Sequence, residues 1–113
     1  MTDIKINYIE LPATDIEKTK AFYAELFGWT FEDYGPDYVS FQGAGIDGGF
    51  TRDSKVATGC GVLVVLYFAQ LEQLESQISD YGCRIAQSIF EFPGGRRFHF
   101  IDPNGNELAV WAE

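Results

Sequence analysis

The sequence contains one order of predicted elements twice, which constrains the fold more than any other feature. Two amphipathic helix patterns end at Gly28 and Gly82, about 54 residues apart. Each is preceded by one strand pattern and followed by three, so the order is β-α-β-β-β in residues 1–55 (module one) and again in residues 59–113 (module two). Because one helix covers only one face of a sheet, we expect the two modules to associate into a single α+β domain.

Module one begins with a strand pattern over residues 4–13 that stops at Pro12. A helix should follow, with Thr14 or Asp15 as its N-cap and Gly28 at its end. Its apolar side comprises Ile16, Phe22, Tyr23, Leu26 and Phe27. Short aromatic or alternating runs separated by glycine turns then predict strands over residues 29–34, 37–42 and 45–52.

Module two repeats the pattern, starting with a strand over residues 60–69. The next helix has Leu71, Leu74, Ile78 and Tyr81 on one face and ends at Gly82. Turns at residues 93–95 and 102–106 separate three further strands, over residues 83–92, 95–102 and 106–111.

The charge and the cysteines exclude several function classes. Eight basic against seventeen acidic residues give a formal charge of −9, which disfavours nucleic acids and anionic membranes as partners. The longest apolar run, residues 62–69, is far below the roughly 20 residues of a membrane span, and no signal pattern is present, so we expect a cytoplasmic protein. Cys60 and Cys83 have no metal-binding or redox spacing and are predicted to be buried free thiols.

Two stretches carry a family resemblance: "YIELPATDIEKTKAFYAELFGW", residues 8–29, and "FHFIDPNGNELAVW", residues 98–111. With the duplication, they resemble the vicinal oxygen chelate superfamily, which includes glyoxalase I, extradiol dioxygenases, and fosfomycin- and bleomycin-resistance proteins. The resemblance implies that the two βαβββ modules form a cup-shaped half-barrel. In that family a divalent metal commonly lies on the inner wall of the cup, and small members commonly form homodimers, which we also expect here.

The metal-ligand positions that the resemblance implies are occupied by unsuitable residues. The first-strand histidine is replaced by Tyr8 in module one and by Leu63 in module two, and the closing glutamate by Ala109. Glu107 stands two residues early, and module one offers only Asp47. No metal or other cofactor is therefore predicted. A divalent metal (Zn, Ni, Mn or Fe) is expected only in the alternative in which Glu10, His99 and Glu107 act as displaced metal ligands or catalytic groups.

Strand alternation, combined with an inward Tyr8, predicts which side chains line the cup. Ile6, Tyr8 and Glu10 should point inward, while Ile9 and Leu11 should face the helix. The predicted ligand-binding residues are Tyr8, Glu10, Leu63, Val65, Tyr67, Glu107, Ala109 and Trp111. Should Glu10 and Glu107 lie on neighbouring strands, they would form a carboxylate pair.

Each polar candidate also has a structural interpretation. Glu10 is either a ligand-binding anion or general base, or a paired structural carboxylate. Glu107 follows a turn, where a solvated carboxylate is the commoner case. His99 on an aromatic strand is more often structural than catalytic. Arg96 and Arg97 are expected to be solvated charges, although one of them could neutralise an acidic ligand or a cup carboxylate.

Aromatic residues make up 16% of the chain, enough to line an apolar site as well as a core. We therefore expect a protein that binds a small neutral or cationic aromatic ligand in an apolar cup without a metal. One alternative is a metal-dependent lyase, isomerase or dioxygenase resembling lactoylglutathione lyase (glyoxalase I). Another is a protein-interaction module whose cup is filled by its own side chains.

Overall fold

The computed structural model describes residues 3–113, and these contain two helices and eight strands in the predicted order. The elements are β1 Tyr8–Pro12, α1 Ile16–Phe27, β2 Thr30–Asp33, β3 Tyr38–Gln42, β4 Asp47–Thr51, β5 Val64–Tyr67, α2 Leu71–Tyr81, β6 Ile85–Phe92, β7 Gly95–Ile101 and β8 Glu107–Ala112. The predicted α+β class with two βαβββ modules is confirmed.

Each module forms its own four-stranded mixed sheet. The strand order is β1-β4-β3-β2 in module one and β5-β8-β7-β6 in module two. The first strand of each module pairs in parallel with the last, and the other pairings are antiparallel. The chain separates into two compact units, one through Lys55 and the other from Val56 to Glu113.

Helix α1 forms because its ends are capped and one side is apolar. Of the two predicted N-caps it uses Asp15, whose Oδ1 accepts a hydrogen bond from the backbone N of Lys18 at 3.0 Å. Gly28 ends the helix in the left-handed conformation, with φ of 74°. The buried side of α1 includes Tyr23, whose ring stacks on Trp29 at 4.7 Å and packs against Phe50 at 5.1 Å.

Helix α2 buries Leu71, Leu74 and Ile78, as its apolar periodicity predicts. Tyr81, which was expected on the same face, occupies the last helical position and is exposed. Residues 3–113 contain no helix that is long and apolar enough to cross a membrane.

The first strand of each module is much shorter than predicted. β1 begins at Tyr8 because it pairs only with β4, whose five residues end the ladder there. Ile6, which was expected to point inward, therefore lies before the strand and is 80% exposed. β5 likewise begins at Val64, where its pairing with β8 begins.

The cysteines are free, but the prediction that both are buried is wrong. Cys60 is exposed and Cys83 is half-buried. Both lie outside the regular elements, Cys60 before β5 and Cys83 between α2 and β6, so neither side chain is fixed on the inner face of a sheet.

Candidate functional site

The two faces of the module-one sheet differ in residue type. In module one, the α1-facing side carries Leu11, Val39, Phe41 and Phe50, all buried. Since side chains alternate along a strand, Tyr8, Glu10 and Ser40 lie on the opposite face. We call the side of each sheet turned away from its helix the helix-distal face.

A hydrogen-bonded cluster lies on the helix-distal face of module one. The hydroxyl of Tyr38 is 2.5 Å from the hydroxyl of Tyr8 and donates to Oε2 of Glu10 at 2.9 Å. These three residues, the tyrosine–glutamate cluster, come from β1 and β3, which are separated by β4. Tyr38 therefore crosses a strand to reach Glu10.

Gly49 makes this crossing possible. It lies on β4 between Glu10 of β1 and Ser40 of β3. A Cβ atom at Gly49 would be 2.3 Å from the hydroxyl oxygen of Tyr38 and 2.5 Å from its Cζ. The absence of a side chain at this position leaves the space that the Tyr38 ring occupies.

The proton arrangement in the cluster follows from the surroundings of Tyr38. Burial, together with the hydrogen bonds to Tyr8 and Glu10, raises the pKa of Tyr38 far above its ordinary value. Tyr38 thus remains a donor to Glu10, and Tyr8 donates in turn to the Tyr38 oxygen. Tyr8, which is 44% exposed, lies two positions from Glu10 on the same face of β1. Tyr34, which is 60% exposed, contacts the Tyr38 ring edge-on at 6.5 Å and donates its hydroxyl proton to Glu32.

In module two, an ion pair between β7 and α2 shows which way the β7 side chains point. Nη1 of Arg96 lies 2.5 Å from Oε2 of Glu72, which places Arg96 on the helix side of the sheet. By alternation, Arg97 and His99 lie on the helix-distal face. Ala109 and Trp111 of β8 share that face, because they pair directly with His99 and Arg97.

His99 and Glu107 form a dyad across β7 and β8. Nδ1 of His99 is 2.8 Å from Oε2 of Glu107, and the histidine is only 5% exposed. Its other ring nitrogen, Nε2, is buried without a hydrogen-bond partner among the described residues. This unsatisfied atom is unusual, since buried polar atoms in proteins nearly always have a partner.

The expectation that Glu107 is a solvated carboxylate is wrong. The hydroxyl of Thr58 donates to the carbonyl oxygen of Gly105 at 2.6 Å, which holds the preceding loop against the β7–β8 turn. A Cβ atom at Gly59, in that loop, would lie 3.3 Å from Oε1 of Glu107. The loop and His99 together leave the Glu107 side chain 18% exposed.

Arg97 is only partly solvated, contrary to the expectation of a solvated charge. Its guanidinium carbon lies 5.3 Å from the ring centroid of Phe90 and 5.4 Å from that of Phe92, and its Nε is buried without a hydrogen-bond partner in residues 3–113. Phe90 also contacts the ring of His99 at 5.8 Å. Arg97 and the His99–Glu107 dyad thus share one aromatic surface.

Comparison with known proteins identifies the family. The model of the glyoxalase/bleomycin resistance protein/dioxygenase superfamily matches residues 5–110. The chain belongs to this superfamily. Among curated proteins, none is significantly similar to it in sequence.

Solved structures of superfamily proteins share the fold along nearly the whole chain. A fosfomycin resistance protein from Listeria monocytogenes is 16% identical, with a TM-score of 0.82 over 99% of this chain and 95% of that one. Lactoylglutathione lyase from Agrobacterium tumefaciens is 16% identical, with a TM-score of 0.70 over 95% and 92%. A glyoxalase-related enzyme from Fulvimarina pelagi is 21% identical, with a TM-score of 0.75 over 95% and 86%. At these identities the likeness establishes the fold alone.

The donor set does not fit the metal centre that this superfamily implies. A protein metal site of this kind needs three or four N, O or S donors. Throughout residues 3–113, no group of three or more His, Cys, Asp or Glu side chains is placed to hold a metal ion. His99 and Glu107 supply two donors, whereas Tyr8, Leu63 and Ala109 occupy the positions where the superfamily resemblance implies ligands.

The predicted ligand-binding residues divide between the two sheets. Tyr8 and Glu10 lie in module one; Leu63, Val65, Tyr67, Glu107, Ala109 and Trp111 lie in module two. Tyr67 and Val65 are partly exposed, whereas Ala109 is fully buried. The hypothesis that Glu10 and Glu107 form a pair on neighbouring strands is wrong, because β1 and β8 belong to different sheets.

The sequence interpretation missed one participant, Tyr38. Tyr38 stands at the start of its strand without any motif, and its only signal is the pair of glycines, Gly48 and Gly49, on the strand beside it. Arg97 is one of the two arginines for which the sequence allows a role in neutralising an acidic ligand, and it alternates with His99 on a strand rich in aromatic residues.

Proposed function

We propose that this protein binds a small neutral or cationic aromatic ligand on the helix-distal face of module one, without a metal. The tyrosine–glutamate cluster is the observation that carries the proposal. Tyr38 orients the Glu10 carboxylate, and the ring of Tyr8, on the same face of β1, is partly exposed. A carboxylate beside an aromatic ring suits a ligand cation, which gains both charge pairing and cation–π attraction.

The charge around Glu10 supports the same class of ligand. Within residues 3–113, no Lys, Arg or His forms an ion pair with Glu10. Its hydrogen bond comes from a neutral phenol, so the negative charge is left for a ligand to neutralise. The net charge of −9 adds a long-range field that favours cations over anions.

Glu10→Gln tests the proposal, because it keeps the shape of the side chain and removes the charge. We expect benzyltrimethylammonium to raise the melting temperature of the wild-type protein, and its affinity to fall about fivefold in the variant, the effect of an exposed charge pair worth up to about 1 kcal/mol. Glu25→Gln, an exposed change on α1, is the matched control. Equal affinity in wild type and Glu10→Gln would show that Glu10 is a structural carboxylate.

A metal-dependent lyase, isomerase or dioxygenase is the second candidate, and the His99–Glu107 contact favours it by bringing two donors together. A solved structure of a mutant of the Listeria fosfomycin resistance protein contains Mn(II). Elemental analysis after exposure to Zn²⁺, Ni²⁺, Mn²⁺ and Fe²⁺ distinguishes the candidates. One equivalent of bound metal, lost in His99→Ala or Glu107→Ala, would replace the metal-independent proposal.

We further propose that the protein is a homodimer. β1 and β5 are edge strands of their sheets, and Ile4, Ile6 and Val62 beside them are exposed apolar residues that a second copy can cover. A monomer mass in light scattering at micromolar concentration would contradict this. The cytoplasmic location stays a prediction from the sequence.

A further inference from the structure

We propose that the helix-distal face of module two is a binding site for the carboxyl group of an aromatic acid, held between Arg97 and His99. This site goes beyond the function proposed above, because it lies on the other sheet and recognises the opposite charge. It rests on two buried nitrogen atoms on one face of one strand, Nε of Arg97 and Nε2 of His99, neither of which has a hydrogen-bond partner in the described chain.

The isolation of Arg97 is the first argument. Arg96, Arg52 and Lys20 each form an ion pair with a carboxylate. Lys18, Lys55 and Arg84 form none among the described residues, but of these basic side chains only Arg97 has a buried nitrogen without a partner. Arg97 forms none with any residue of 3–113, although the chain has seventeen acidic residues, and its contacts are the rings of Phe90 and Phe92. A desolvated guanidinium N–H without an acceptor is costly, so the arrangement calls for an acceptor supplied from outside the chain.

The orientation of His99 is the second argument. Glu107 binds Nδ1 and leaves Nε2 for another partner. As an imidazolium, His99 donates from Nε2 to a carboxylate oxygen; as a neutral ring with its proton on Nδ1, it accepts from the O–H of a carboxylic acid. In both cases one proton lies between Nε2 and the carboxyl group, so the imidazole and the carboxyl group together add no net charge beside Glu107.

The two nitrogen atoms belong to neighbouring side chains on one face of β7. Arg97 and His99 are two positions apart on one strand, so their Cα atoms are separated by roughly 7 Å and their side chains point the same way. The Phe90 ring contacts both, at 5.3 Å from the guanidinium carbon and 5.8 Å from the imidazole centroid. A carboxyl group has one oxygen for each nitrogen, with charge-assisted hydrogen bonds of about 2.8 Å.

The surrounding rings select an aromatic acid with a single charge. Trp111 contacts Phe92 at 6.3 Å and Tyr67 at 5.1 Å, which extends the aromatic surface from Arg97 to the half-exposed Tyr67. Offset or edge-on contacts with such rings favour a planar ligand. A phosphate dianion is disfavoured, because one arginine must offset it beside the Glu107 carboxylate.

Benzoate is the probe, and benzamide and phenyl phosphate are its neutral and dianionic counterparts. Because His99 is the chain's only histidine, its Nε2 signal in a ¹⁵N spectrum is unambiguous. We expect benzoate to shift this signal in the wild-type protein, and benzamide and phenyl phosphate to bind at least tenfold more weakly. No shift of Nε2 at millimolar benzoate would overturn the proposal without reference to any variant.

Arg97→Met keeps the apolar stem of the side chain and should weaken benzoate binding at least tenfold, while Arg97→Lys should restore part of it. Arg96→Met, which removes the neighbouring arginine on the α2 side, is the matched control and should bind benzoate like the wild type. Equal losses of benzoate affinity in Arg97→Met and Arg96→Met would show that the effect comes from the overall charge of the protein, and would contradict a site at Arg97.

The Glu10→Gln variant separates this site from the function proposed for module one. Benzoate binding should be unchanged in that variant, whereas binding of benzyltrimethylammonium should fall. Binding of benzoate alone leaves the carboxyl site standing and the cation site refuted; binding of the cation alone has the opposite meaning.

Discussion

Tyr38 reaches Glu10 because Gly49, which lies between them on β4, has no side chain. The two bonded groups belong to strands that do not pair with each other, and the Tyr38 ring lies over the backbone of the strand between them. A glycine in the interior of a strand is ordinarily a weak point. Here it provides the room for the contact that fixes the candidate carboxylate.

Gly49→Ala should therefore disrupt the tyrosine–glutamate cluster. The new Cβ would lie 2.3 Å from the Tyr38 hydroxyl oxygen, so the ring must move, and we expect a loss of about 1–3 kcal/mol in the free energy of unfolding. Urea unfolding measures it. In a Tyr38→Ala background the same substitution meets no ring and should cost clearly less; additive losses in this double-mutant cycle would show that the clash is elsewhere.

The raised pKa of Tyr38 predicts a loss of stability in alkali. The folded protein holds the phenol proton above the pH at which an unfolded tyrosine, with a pKa of about 10, releases it. The stabilising contribution is therefore complete below pH 10 and declines as the pH rises through and beyond that value. Urea unfolding from pH 8 to pH 11 should show a steeper decline for wild type than for Tyr38→Phe; parallel curves would contradict the assignment.

The elements were predictable from the sequence because each depends on local pattern: capping by Asp15, glycine ends at Gly28 and Gly82, and alternation along the strands. The site was less predictable. Alternation gives the face on which Tyr38 or His99 lies, but its partner depends on strand order and register. Tyr38 bonds across an intervening strand, and His99 bonds diagonally to Glu107 rather than to its direct neighbour Ala109.

The turn before β8 sets that register, and Asp102 holds the turn together. Its Oδ1 accepts hydrogen bonds from the backbone N atoms of Asn104 and Asn106 at 2.8 and 2.9 Å, and the residue is 4% exposed. Asp102→Ala leaves two buried N–H groups without this acceptor and should lower the free energy of unfolding by about 2–4 kcal/mol. Asp80→Ala, an exposed change on α2, is the control. Comparable losses of unfolding free energy in the two variants would show that the Asp102 hydrogen bonds do not stabilise the turn.

The two thiols should differ in reactivity. Cys60 is exposed, whereas Cys83 is half-buried, and burial together with the nearby Asp102 raises the pKa of the Cys83 thiol. Less thiolate and poorer access both slow alkylation. We expect iodoacetamide at pH 8 to modify Cys60 first, with mass spectrometry of the peptides locating the label. Faster labelling of Cys83 would mean that the connection between α2 and β6 opens.

The His99–Glu107 dyad predicts an uncommon tautomer. Neutral histidine in water usually carries its proton on Nε2, but the Glu107 carboxylate, 2.8 Å from Nδ1, can only accept a hydrogen bond and so favours the proton on Nδ1. With a single histidine in the chain, long-range ¹H–¹⁵N correlation spectra of the neutral ring identify the protonated nitrogen without any assignment step. We expect Nδ1–H in the wild type and in Glu10→Gln, and a mixture shifted towards Nε2–H in Glu107→Ala.

Glu107→Gln is the sharper variant, because its amide oxygen can still accept from Nδ1–H and should keep the tautomer while removing the charge. If the wild-type ring carries its proton on Nε2, that nitrogen is not an acceptor, and the neutral-ring form of the carboxyl site on module two fails with it.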